Sequence, residues 1–108
     1  MTLTTYQILE AASRITGIPV RVISGSRRTT ELVYIRDACF ALAKEHLCKT
    51  DHSIARAFGR DRSTITHGLQ RHKARMEDMK FYQNLYKAIE DEAKLSETNT
   101  GSQAANAA

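Results

Sequence analysis

The sequence predicts an all-α domain of about five helices. Two observations carry the prediction. Apolar residues recur at helical spacing in several separate stretches. The chain also has one proline, no tryptophan and five glycines, too few turn formers for a sandwich of many short strands. At 108 residues, 42% apolar and 26% charged, the composition is that of a soluble globular domain with one modest core. No run of about 18 apolar residues exists, so no membrane span is expected. Met1 to Glu10 lack the basic patch and apolar stretch of a signal peptide, so a cytoplasmic address is expected.

The elements follow in order. Thr4 and Gln7 form a capping box, and Ile8, Ala11, Ala12 and Ile15 define one face of a helix over 4–16. Gly17 suits a left-handed stop, and Pro19 lies beyond it. Residues 18–28 read as a connector with Val20 and Ile23 as buried anchors. Ser24, Gly25 and Ser26 then lead into Arg27 and Arg28. Thr29 or Thr30 caps a long helix over 30–48, with Glu31 near its positive end. Its face runs through Leu32, Ile35, Cys39, Leu42 and His46. Asp51 or Ser53 caps a short helix carrying Ile54, Ala55 and Phe58, and Gly59 ends it. Asp61 stands at the N-cap of a fourth helix lined by Ile65, Leu69, His72 and Met76. A break near Glu77 and Asp78 leads to a fifth helix over 79–95. That helix buries either Phe81, Leu85, Ala88 and Ile89 or the neighbouring stripe through Tyr82 and Tyr86. The folded domain is assigned to 1–95. The polar, aperiodic stretch 96–108 is expected to be a disordered tail.

Charge is unevenly placed. The chain carries a net +4, but Lys49 to Arg75 hold seven basic and two acidic residues, a local +5. All four histidines lie between His46 and His72. Such polarisation is the electrostatic footprint of a nucleic-acid binder. Cys39 and Cys48 sit nine residues apart on one predicted helix, about 13 Å at ~1.5 Å per residue. A disulfide needs Cα atoms within about 7 Å, so two free thiols are expected.

The stretch from Thr50 to Leu69 reads as short helix, glycine turn, capped helix. This is the helix-turn-helix pattern, whose second helix enters the major groove with its N-terminal residues on base edges. With Ile65, Leu69, His72 and Met76 turned inward, Ser63, Thr66, His67 and Gln70 face outward. Together with Arg62 they are the candidate base contacts. Arg27, Arg28, Arg36, Lys49, Arg60, Thr64, Arg71 and Lys73 are the candidate contacts to phosphates or the minor groove.

Three motifs in this order resemble the C-terminal DNA-binding domain of the bacterial replication initiator DnaA. Gly59-Arg60-Asp61-Arg62-Ser63-Thr64-Ile65-Thr66-His67 is similar to that family's Gly-Gly-Arg-Asp-His-Thr-Thr-Val-Xaa-His. Arg60, Asp61, Thr64 and His67 match, Ser63 replaces a threonine, Arg62 replaces a histidine, and one glycine is missing. Ala41-Leu42-Ala43-Lys44-Glu45 resembles a motif of the family's long helix. Arg27-Arg28 resembles its basic minor-groove loop. Where the family has Arg-Pro-Arg, this chain has Tyr34-Ile35-Arg36, so only Arg36 carries over. The resemblance implies an all-α fold of the TrpR and DnaA C-terminal type. It implies sequence-specific binding of double-stranded DNA, as a monomer, in a replication or transcription regulator associated with the nucleoid. No Gly-x-x-x-x-Gly-Lys-Ser/Thr loop is present, so neither nucleotide nor ATPase activity is expected.

Two packed helices with a glycine turn can be merely structural, and Arg27 and Arg28 alone would be ordinary loop arginines. Cys48 and His52 have helical spacing, but zinc needs three or four ligands, and no metal or other cofactor is expected. His72 is expected to be a satisfied core histidine. No nucleophile–base pair is suggested by spacing, so no enzymatic activity is expected. The alternative function is a protein-interaction adaptor that keeps the fold without binding DNA.

Overall fold

Among the described residues six helices follow one another: α1 (Thr5–Thr16), α2 (Val20–Ile23), α3 (Thr30–Leu47), α4 (Asp51–Phe58), α5 (Arg62–Asp78) and α6 (Lys80–Ala107). The computed structural model describes the backbone of residues 3–47 and 50–107, with side chains through Ser96. No strand occurs among the described residues, and none of their helices is long and apolar enough to cross a membrane.

The start of α1 is the expected capping box. The Thr4 hydroxyl accepts from the Gln7 amide at 3.1 Å, and the Gln7 side chain accepts from the Thr4 amide at 2.9 Å. Gly17 ends α1 with φ +77°, a conformation that costs glycine little. The buried face of α1 is Ile8, Leu9, Ala11 and Ala12, while Ile15 is 40% exposed. The connector contains one additional turn, α2, with Pro19 at its N-cap and Ile23 buried.

Helix α3 is the spine. Thr29 caps it by accepting from the Leu32 amide at 3.2 Å, and every residue from Ile35 to Ala43 is buried. α1, α4, α5 and α6 all pack against it, and α5 also meets α6. The cap of α4 is Thr50, one residue ahead of the expected pair. Its hydroxyl accepts from the Ser53 amide at 3.1 Å. Phe40 of α3 meets Phe58 of α4 edge-on, with ring centroids 5.1 Å apart.

Only Met79 separates α5 from α6, and its extended backbone makes the break. α6 buries the stripe Tyr82, Tyr86, Ile89 and Ala93, leaving Phe81 63% exposed. The tyrosine stripe prevails because each phenol finds a polar partner, as buried tyrosines need. The Tyr82 hydroxyl pairs with His72 Nδ1 at 2.8 Å, and the Tyr86 hydroxyl donates to Glu45. The α6 backbone continues as helix to Ala107, where an irregular tail from Ser96 was expected. An established helix propagates cheaply, and alanine favours it most.

Cys39 is a free, buried thiol whose pKa burial pushes up to about 12. Cys48 lies outside the described residues. His72 is half-buried, as expected, and burial holds its pKa below the ordinary histidine value, against the raising influence of Asp37 and Glu45. The neutral ring is therefore favoured by the fold. Its stabilising contribution is complete above the unfolded pKa of about 6.5 and is lost as pH falls through the lower folded value. Urea unfolding at pH 7.5 and 5.5 should show a decline for the parent that is smaller in His72→Gln. Equal declines in both proteins would remove His72 as the cause.

Candidate nucleic-acid interface

The site begins with the turn between α4 and α5. Gly59 adopts φ +66° and ψ +38° and returns its amide to the last turn of α4. Asp61 stands at the N-cap of α5 with extended backbone (φ −74°, ψ 151°) but makes no side-chain cap hydrogen bond. The expected side-chain cap is therefore absent. α5 begins with Arg62 and Ser63 exposed beside its amide end, where the helix dipole favours an anion.

Along α5, Ile65 and Gly68 are buried, while Arg62, Ser63, His67, Gln70, Arg71 and Lys73 are exposed. Thr64 and Thr66 are half-buried. Thr66, a candidate base contact, is half-buried and bonded within the protein. Its hydroxyl donates to Asp51 Oδ2 at 2.9 Å, and Lys44 donates to Asp51 Oδ1 at 2.8 Å. These bonds tie α5 to α4 and α3 and hold the Asp51 carboxyl below the usual carboxylate range, with the Lys44 bond the largest cause. Thr66 thus fixes the angle between the two helices of the motif.

A second basic element lies beside α5. The loop after α2 exposes Arg27 and Arg28, and two guanidiniums set its shape from within. Arg36 is 7% exposed. Its Nε donates to the Ile23 carbonyl at 2.6 Å, and its Nη1 to that of Arg27 at 2.5 Å. Its Nη2 donates to Val22 at 3.2 Å and Gly25 at 2.9 Å. Arg60 Nη2 donates to the carbonyls of Ser24, at 3.1 Å, and Gly25. Arg36 was expected to hold a phosphate. Four carbonyls occupy its donors instead, so it acts as the scaffold of the loop. The carbonyls turned inward on Arg36 and Arg60 leave the cationic side chains of Arg27 and Arg28 as the loop's outer surface.

Between this loop, α3 and α5 lies a cleft of about 320 Å³, lined by Arg28, Asp37, Arg60, Thr64, His67 and Arg71 among others. Burial, followed by the charges of Arg60 and Arg28, holds the Arg36 guanidinium below its ordinary pKa. Guanidiniums that repel one another around one cleft favour an anion between them. At the floor is Asp37, 1% exposed, which spacing alone did not single out. Arg71 grips it with Nε on Oδ2 at 2.9 Å and Nη2 on Oδ1 at 3.0 Å, and Arg75 Nη1 reaches Oδ2 at 2.7 Å. The Arg75 guanidinium also lies 4.4 Å from the Tyr34 ring centroid, a cation–π contact. The available signal was a charged pair, Arg36-Asp37, inside an otherwise apolar run.

Gly68 makes this approach possible. A Cβ there would lie 2.7 Å from Asp37 Oδ1 and 2.9 Å from Phe40 Cδ2. Gly to Ala inside a helix ordinarily gains about 1 kcal/mol. Here the carboxylate is pinned by two arginines and the ring is in the core, and overpacking costs about 1–3 kcal/mol. Gly68→Ala should therefore lower the thermal midpoint by several degrees. A raised midpoint in a melting curve would contradict this packing.

Of the remaining candidates, Lys49 lies outside the described residues, as does Cys48 of the Cys48–His52 pair. Ligand atoms of Glu45, His46 and Glu90 lie within 4.8 Å of one another. They already partner protein groups: His46 Nε2 meets Glu90 Oε2 at 2.8 Å, and Tyr86 donates to Glu45.

A short helix, a left-handed glycine turn, an exposed second helix and an adjoining basic loop define the class: a helix-turn-helix DNA-binding domain. The family model described as the bacterial DnaA protein helix-turn-helix matches residues 5–71, well over half of the chain. The chain belongs to that family. The matched segment ends at Arg71 and so contains α1 to α4, the first part of α5 and the basic loop. No curated protein matches the chain in sequence.

Proposed function

We propose that this chain binds double-stranded DNA sequence-specifically as a monomer and acts as a replication or transcription regulator without nucleotide hydrolysis. The observation that carries the reading is the cleft that brings Arg28 of the basic loop together with Arg60 and with His67 and Arg71 of α5. α5 enters the major groove with Arg62, Ser63, His67 and Gln70 toward base edges. Arg27 and Arg28 enter the adjacent minor groove or meet its phosphates. Arg60, Thr64, Arg71 and Lys73 contact the backbone, while Thr66 and Arg36 hold the reading elements in place. A protein with this role resides in the cytoplasm, on the nucleoid.

Two substitutions test the division of labour. Arg62→Ala should cost about 1–3 kcal/mol at the base pair it reads and relax preference there. Lys73→Ala should weaken all duplexes alike and reduce the salt slope by about 1. Fluorescence anisotropy on a panel of single-base variants measures both. Uniform weakening by Arg62→Ala would remove it from the base-reading set.

A further inference from the structure

We infer that Asp37 is a positioning residue for DNA binding, fixing the Arg71 guanidinium so that it meets the backbone as an oriented fork rather than a mobile charge. The inference rests on the DNA-binding reading above. Both oxygens of Asp37 are in use, and Arg71 takes one edge of the carboxylate through Nε and Nη2. A two-bond pair of this kind fixes the plane of the guanidinium as well as its position. The Arg71 side chain remains 44% exposed, so its remaining edge is open on the rim of the cleft, in the company of Arg28, Arg60 and His67.

The anchor is itself held. Arg75, whose side chain is 14% exposed, takes the other side of Oδ2. It is braced on the Tyr34 ring. Gly68, three residues before Arg71 on α5, provides the space that lets the carboxylate sit against the helix. Gly68, Asp37, Arg71 and Arg75 are thus one arrangement spanning α3 and α5. The buried negative charge does not reverse the surface. One carboxylate shared by two guanidiniums leaves the triad net positive. Lysine cannot take this place. Its ammonium is a compact charge on a flexible stem with three rotatable donors, and it cannot hold the fixed planar fork between Asp37 and DNA.

Arg71→Gln, Arg71→Lys and Asp37→Asn test the inference in duplex titrations across a salt series, with circular dichroism as the folding control. Arg71→Gln should weaken binding about tenfold and reduce the salt slope by about 1. Arg71→Lys should lose as much, to within about twofold. A lysine variant within about twofold of the parent, with its slope intact, would show a simple point charge and overturn the inference. Asp37→Asn, although it removes a negative charge, should weaken binding to a DnaA-type box and to a scrambled duplex alike in the folded protein. A folded variant with undiminished affinity for both duplexes would assign Asp37 to stability alone. The lysine variant keeps Asp37 and Arg75, so it decides the matter if the asparagine variant does not fold. Absence of salt-dependent binding by the parent itself would overturn the DNA-binding reading, an outcome separate from either result above.

Discussion

Asp37→Ala is expected to cost about 3–5 kcal/mol of folding stability, the range for removing one partner of a buried ion pair. The reason is the pair of guanidiniums it would abandon. Arg75 is nearly enclosed, with 14% of its side chain exposed, whereas Arg71 is 44% exposed and can turn to water. The loss therefore falls mainly on Arg75, which would keep only its ring contacts with Tyr34 and Tyr82. A domain of this size has only about 5–15 kcal/mol in total, so the urea midpoint should fall steeply. A change below about 1 kcal/mol would mean that the Arg75 charge rehydrates freely and that Asp37 is no anchor.

Arg36→Met is expected to weaken DNA binding about as much as Arg27→Ala and Arg28→Ala combined, although Arg36 is not assigned a DNA contact. Methionine fills similar space and removes all four bonds to the carbonyls of Val22, Ile23, Gly25 and Arg27. Bonds from a charged donor contribute about 1.5–3 kcal/mol each when fully buried. The bond to Ile23 is buried and the other three are partly buried, so rehydration offsets only part of that stability loss. The effect then appears in the loop, which loses the shape that presents Arg27 and Arg28. Adding Arg36→Met to the double alanine variant should change little, since residues acting through one element are non-additive. An additive further loss in titrations would mean that Arg36 contacts DNA directly.

Much of this was legible in the residues because local chemistry dictated it. The Thr4 and Gln7 box and the left-handed Gly17 and Gly59 follow from spacing and backbone preference. The exposed candidates Arg62, Ser63, His67 and Gln70 follow from the same helical geometry. What spacing could not supply were partners distant in the chain. Thr66 has an outward register, yet its hydroxyl finds Asp51 across the turn. Arg36 lies on a helix wheel like any other arginine, but the returning loop places four carbonyls around it. Asp37 meets residues 34 and 38 positions away. Asp61 shows the converse: the N-cap position was legible, but the rotamer of its carboxylate was not. The choice between the Phe81 and Tyr82 stripes likewise turned on partners, His72 and Glu45, contributed by other helices.

The most direct test of the central claim is fluorescence anisotropy of the parent chain with two labelled duplexes, a DnaA-type box and a scrambled control, at about 150 mM salt and at several lower concentrations. Duplex binding should tighten as salt falls, and a preference for the box of about 10³-fold or more would identify the box as the sequence read. No binding to either duplex, even at the lowest salt, would contradict the central claim and assign this fold to protein interaction.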